Sequence, residues 1–107
     1  MRATNRQGFE MTDKIRDKDT DEMFKAILTL KNVDECYLFF EDLCTVKEIK
    51  SISQRFAVAK MLSEKRVYSE IVEKTGASTA TISRVNRSLV YGNDGYAMVF
   101  DRMEQEH

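Results

Sequence analysis

The side chains best suited to chemistry in this 107-residue chain lie mostly between Ser69 and Ser88, and that chemistry is hydrogen bonding rather than bond making. Ile82, Val85 and Leu89 recur at i, i+3 and i+7, one apolar stripe at helical spacing. The opposite face carries Thr79, Ala80, Ser83, Asn86 and Arg87. These side chains are short near the helix start and become longer and basic further on. A helix entering a DNA major groove needs that gradient: small groups where backbone meets base edges, donors and cations toward phosphates. Ser78 precedes the helix and can cap it by accepting from a first-turn backbone N–H. Together with Ser69 on the preceding helix, Ser78, Thr79, Ala80, Ser83, Asn86 and Arg87 form the candidate DNA-binding set. Two helices joined by a glycine turn also build ordinary hairpins that touch no nucleic acid, and that reading stays open at this point.

Catalysis finds little support. The single histidine is His107, the final residue, which offers neither a zinc site nor a general base. Cys36 and Cys44 are eight apart on one expected helix, about 12 Å along its axis. That separation is too long for a disulfide, and both read as core thiols. Glu41 and Asp42, like Asp21 and Glu22, are adjacent and point to different helix sides. No glycine-rich phosphate loop is present, because Gly76 stands alone without a Walker lysine. Arg55 and Arg84 each flank an apolar stripe. An arginine so placed usually extends its charged head to water. The alternative is that both point into a crevice and hold a small carboxylate in guanidinium forks.

The elements that position these groups read as helices. Residues 1–18 form an expected flexible arm, with Met11 as an alternative start. Asp19 or Thr20 then caps a helix to about Lys31, with Met23, Phe24, Ile27, Leu28 and Leu30 as a broad stripe. Asn32 caps the next, with Glu35 as capping-box partner, and Val33, Cys36, Tyr37, Phe40, Leu43 and Cys44 on its apolar side. Thr45 and Glu48 form another Thr-x-x-Glu box. The long third helix, to about Glu64, is expected to bury Ile49, Ile52, Phe56, Ala59 and Leu62, with Val58 and Met61 widening that face. Tyr68 to Thr75 and Ser78 to Tyr91 make a helix-turn-helix hinged at Gly76, where only glycine takes φ > 0 without steric cost. Gly92 is the expected left-handed residue that stops it, and a last helix from about Tyr96 carries Met98, Val99, Phe100 and Met103.

Composition fits one soluble domain, with 42% apolar and 33% charged residues and no proline to interrupt long helices. The net charge of −1 hides an asymmetry. Thr45 to Tyr91 carries nine Lys/Arg against four acids, a net of +5, and the flanks are acidic. A local positive field favours a polyanionic partner even in a slightly acidic chain. No apolar run approaches a membrane span and no signal peptide is evident, so a cytoplasmic location is expected. The aromatic second helix is richer than a lone helix needs, which points to packing against another subunit.

The segment Cys44-Thr-Val-Lys-Glu48, then Arg55, then Thr75-Gly-Ala-Ser-Thr-Ala-Thr-Ile-Ser-Arg84 and Ser88-Leu89, resembles the Trp repressor superfamily. It looks closest to the Trp-repressor-related branch of Gram-positive bacteria, over roughly Asp19 to Met103. The resemblance implies an all-α, intertwined helical homodimer with a helix-turn-helix. It implies that Thr79, Ala80 and Ser83 face bases. It also implies that Thr45, Arg55, Arg84 and Ser88 match the positions that hold an amino-acid corepressor between the long helix and the recognition helix. Three departures stand out. Val85 replaces a glycine that leaves room for an indole, Cys44 replaces a larger aliphatic residue, and Glu73 adds negative charge near the expected DNA side. Tryptophan is therefore doubtful as the ligand.

The sequence as a whole implies residues 19–107 as a single helical DNA-binding and dimerisation domain, with the helix-turn-helix at about 68–91. The expected activity is that of a DNA-binding transcriptional regulator, a repressor reading a double-stranded operator, modulated by a small amino-acid effector, with no metal, no membrane and no enzyme activity. The rival reading is a helical protein–protein interaction module that presents its aromatic second helix to a partner and does not bind DNA.

Overall fold

The computed structural model describes residues 14–106, and the regular elements among them are all helical. They are α1 (Lys18–Ile27), α2 (Val33–Leu43), α3 (Val46–Ser63), α4 (Tyr68–Thr75), α5 (Thr79–Tyr91) and α6 (Gly95–Gln105). They fall into two compact units that divide between Ile49 and Lys50. No helix among the described residues is long and apolar enough to cross a membrane. Residues 1–13 of the expected arm lie outside the described residues, and Lys18 already opens α1.

Local side-chain chemistry sets the boundaries in the first unit. Asp17, rather than Asp19 or Thr20, caps α1 by accepting from the Thr20 N–H at 2.7 Å. That bond holds the Asp17 carboxyl below its ordinary range. The helix stops at Ile27, short of Lys31. The Thr29 hydroxyl donates to the Ala26 carbonyl at 2.6 Å, and i→i+3 bonds tighten the last turn. Asn32 caps α2 as expected, accepting from the Glu35 N–H at 2.9 Å, while the Glu35 carboxylate accepts from the Lys31 N–H at 2.9 Å. Thr45 and Glu48 form a reciprocal box at the start of α3, with Glu48 N–H to Thr45 Oγ1 at 3.1 Å and Thr45 N–H to Glu48 Oε1 at 2.8 Å.

These helices are amphipathic, yet no residue of α1 or α2 is buried, and Met23, Ile27, Phe39 and Phe40 are only half-buried. Leu28 is 83% exposed, Leu38 68% and Tyr37 60%. Cys36 is exposed and Cys44 half-buried, and both are free thiols, so neither is the core residue expected of it. The apolar side of α2 is uncovered in one chain, and that is the physical reason.

The second unit contains the core. Val58, Ala59, Ile71, Ala77, Ile82, Val85 and Phe100 are buried together, with Met61, Leu62, Leu89 and Tyr96 packed against them. Of the face expected on α3, Ala59 is buried and Leu62 packs on the core, but Ile52 and Phe56 are exposed and Val58 is fully buried. The seat of α4, α5 and α6 is thus the C-terminal half of α3. Phe100 sits between Phe56 and Tyr96, with ring centroids at 5.4 and 5.9 Å, and the Lys60 ammonium lies 5.0 Å from its ring.

Two chain reversals place a residue other than glycine in the left-handed region, and the second departs from expectation. Helix α3 ends in a Schellman arrangement, with Arg66 N–H to Met61 O at 3.1 Å and Lys65 N–H to Leu62 O at 3.0 Å. Lys65 therefore takes the left-handed position usually given to glycine, at φ 65°. Gly92 is not left-handed, with φ −83° and ψ −154°. Asp94, at φ 65°, takes that conformation as α6 begins. Gly92 is required for space instead, because a Cβ there would run into the Ser88 carbonyl oxygen.

Two stability tests follow, read at fixed protein concentration because assembly shifts Tm. Lys65→Gly should stabilise by about 1 kcal/mol, seen as a higher Tm, by removing left-handed strain. Gly92→Ala should destabilise by roughly 1–3 kcal/mol. An equal Tm for all three proteins would contradict both assignments. A third test uses the α3 box. The Thr45 N–H lowers the Glu48 pKa, so the native state binds fewer protons than the unfolded chain near that pKa. The capping contribution is then present above the ordinary glutamate range and lost as pH falls through the lowered value. The Tm gap between wild type and Glu48→Gln should be open near neutral pH and close on acidification. A gap independent of pH would contradict the cap.

Candidate nucleic-acid interface

Thr75 at the end of α4 and the three residues that connect it to α5 each have a local task. Gly76 adopts φ 72° and donates its N–H to the Val72 carbonyl at 2.9 Å, closing α4. A Cβ on Gly76 would meet nothing within 4 Å, so the demand for glycine there is conformational. The Thr75 hydroxyl donates to the Ile71 carbonyl at 2.7 Å and accepts from the Ala77 N–H at 3.1 Å. Ala77 is buried and carries the turn into the core. Ser78 caps α5, accepting from the Thr81 N–H at 3.1 Å and donating to Thr81 Oγ1 at 3.1 Å. No buried side-chain polar atom among the described residues lacks a partner.

The expected two-sidedness of α5 is present. Ile82 and Val85 are buried, Leu89 packs on the core, and Thr79, Ala80, Ser83 and Arg87 are exposed. Asn86 is half-buried between the two sides. The side chains of Thr79, Ser83, Asn86 and Arg87 make no hydrogen bond or ion pair among the described residues, which leaves their polar groups available. Ser78 is exposed, but its oxygen is engaged in the cap. Ser69, the second residue of α4, is exposed.

On α4, Glu70 pairs with Arg66 at 2.9 Å and with Lys74 at 3.7 Å, and Arg66 also lies 3.5 Å from Glu64. These exposed pairs add little stability, but they neutralise Glu64 and Glu70 within the basic segment. Glu73 stays exposed and unpaired among the described residues. Lys50, Lys65, Arg84 and Arg87 are exposed cations with no acidic partner among the described residues.

Of the four effector candidates, Thr45 belongs to the first unit and Arg55, Arg84 and Ser88 to the second. Thr45 is exposed in the first unit, and its hydroxyl oxygen caps α3. In the second unit Arg55 and Arg84 are exposed, and neither guanidinium is bonded among the described residues. The Ser88 hydroxyl turns back to the Arg84 carbonyl at 3.4 Å. Val85 lies fully within the core.

One residue escaped sequence reasoning. Gln54, half-buried on α3, donates its side-chain amide to the Thr75 carbonyl at 3.1 Å. It stands four residues before Val58, one turn along the same helical face. A glutamine inside a helix carries no signal of its own. Only its register with Val58, which marks the face turned to α4 and α5, could have singled it out.

Comparison with known proteins agrees with this geometry. A family model described as Trp repressor protein matches residues 18–104. The Bacillus subtilis (strain 168) protein YerC, whose own description is "uncharacterized", is 56% identical over 93 residues, 87% of this chain and 89% of that protein. The crystal structure of a TrpR-like protein from Eubacterium eligens is 63% identical with a TM-score of 0.83, covering 86% of this chain and 95% of that one. The chain belongs to the Trp repressor family.

Proposed function

We propose that this member of the Trp repressor family is a homodimeric transcriptional regulator, a repressor that binds a duplex operator through α4 and α5. The observation that carries the reading is the split of α5. Its inner side is anchored by buried Ile82 and Val85, while Thr79, Ala80, Ser83 and Arg87 stand exposed on the outer side of a rigidly capped helix. A rigid helix with small hydroxyl and methyl groups in its first turns can approach base edges closely. The exposed cations of the second unit supply attraction to phosphates, and this attraction should be strongly salt-dependent.

A dimer is supported by the uncovered faces of α1 and α2. Phe24, Leu28, Val33, Tyr37, Leu38 and Leu43 are all exposed in one chain. A stable soluble protein rarely leaves so many large apolar side chains uncovered together. Two copies would present two α5 helices, and a near-palindromic operator with half-sites about one helical turn apart would fit them.

Random duplexes selected for binding would supply the test ligand. Affinity for the selected duplex should fall steeply between low and moderate salt, and flat binding would contradict a phosphate-driven contact. Arg87→Ala should weaken binding to all sequences alike. Ser83→Ala should shift sequence preference, and an unchanged preference removes Ser83 from base readout. Gel filtration separates the rival reading: a homodimer is expected here, whereas a monomer with the exposed Tyr37 left uncovered would favour a protein-interaction module.

A further inference from the structure

We propose that Lys65 is a DNA-contacting residue: its ammonium meets a backbone phosphate of the operator at the entry to α4 and fixes the orientation of the reading head. This rests on the DNA-binding reading above and adds to it one specific contact, ahead of both helices of the helix-turn-helix.

Lys65 holds φ 65° where α3 ends. Main-chain bonds close the turn, from the Lys65 N–H to the Leu62 carbonyl at 3.0 Å and from the Arg66 N–H to the Met61 carbonyl at 3.1 Å. Glycine would make both bonds and take the left-handed conformation without steric cost. The turn therefore has no use for a lysine side chain. Asp94 also adopts φ 65°, but aspartate is a type that visits this region more readily, because its short polar side chain can bond locally. Lysine has no such compensation. Backbone strain of this kind clusters at functional sites.

Local charge and placement point the same way. Glu64 and Glu70, the acids on either side of Lys65 in the chain, are engaged by Arg66 at 3.5 and 2.9 Å, and Glu70 also by Lys74 at 3.7 Å. The charge of the exposed Lys65 is surplus to that cluster. The carbonyls that anchor its turn belong to Met61 and Leu62, which pack on the core that also seats α5. Lys65 stands three residues before α4 and four before Ser69 of the candidate DNA-binding set. The first helix of a helix-turn-helix crosses the DNA backbone while the second enters the groove. The turn leading into α4 is thereby brought to the phosphates. A cation tied to the core at that point positions the protein on the duplex without reading its sequence.

The test measures binding of the full-length chain to the selected duplex and to an unrelated duplex across a salt series. Lys65→Gly keeps the turn and removes the charge. Its Tm should rise while its affinity for both duplexes falls about five-fold, and the slope of log affinity against log salt should become shallower by about 1. Lys65→Asn, which tolerates the left-handed region without the charge, should show the same shallower slope. Lys65→Arg keeps the charge and should retain wild-type affinity and slope. Lys31, exposed in the first unit, is the charge control, and Lys31→Gln should leave binding near wild type. A purely structural role would move stability and affinity together, whereas the contact separates them. An unchanged slope in Lys65→Gly and Lys65→Asn overturns the proposal. An equal change in Lys31→Gln overturns it too, because net charge alone would then be at work. Wild type that binds neither duplex is a different failure: it removes the DNA-binding reading, and the contact at Lys65 with it.

Discussion

Burial of one side of α5 is the constraint from which the rest follows. Ile82 and Val85 are removed from water against Val58, Ala59 and Ile71, and each such side chain contributes about 1.5–3 kcal/mol. A helix can rotate only by exchanging its buried side for another. Here that would bring Thr79, Ser83 and Arg87 into a core without partners for them, at a cost of several kcal/mol. The outward set is therefore fixed by the inward one. The hinge bonds at Thr75, Gly76 and Ser78 then determine where that outward set points.

The first unit is governed by a different balance. Its helices are well capped, at Asp17, Asn32 and Thr45, so their local structure is secure. Their apolar sides are nevertheless uncovered in one chain. Caps satisfy single backbone groups at helix ends, a far smaller contribution than would come from covering residues such as Phe24, Tyr37 and Leu38. The second unit thus holds a buried core, whereas no residue of α1 or α2 is buried.

Much of this was legible in the sequence, for local reasons. The Asn32–Glu35 and Thr45–Glu48 boxes, the Gly76 turn and the Ile82–Val85–Leu89 stripe depend on residues a few positions apart. The misses share a cause as well. Asp17 stands two residues before the expected cap, in a run of polar residues where several could serve. Ile52 and Phe56 look as apolar as Val58, and only the position of the neighbouring helices decides which of them is covered. Gly92 looked like a left-handed stop, but its constraint is the nearby Ser88 carbonyl, and the left-handed residues other than Gly76 are, among the described residues, Lys65 and Asp94. Gln54 was invisible because its partner lies 21 residues away. The readout roles of Ser69, Thr79, Ala80, Ser83, Asn86 and Arg87 concern a molecule outside the chain, which geometry supports and only binding can establish.

The central claim is that the outer side of α5 meets duplex DNA. Its most direct test is an NMR titration of isotope-labelled protein with a duplex selected for binding. The account predicts that perturbed amides cluster from Ser78 to Arg87 and at Ser69, with little change along α2. Perturbation concentrated at Tyr37 and Leu38, with α5 silent, would contradict it.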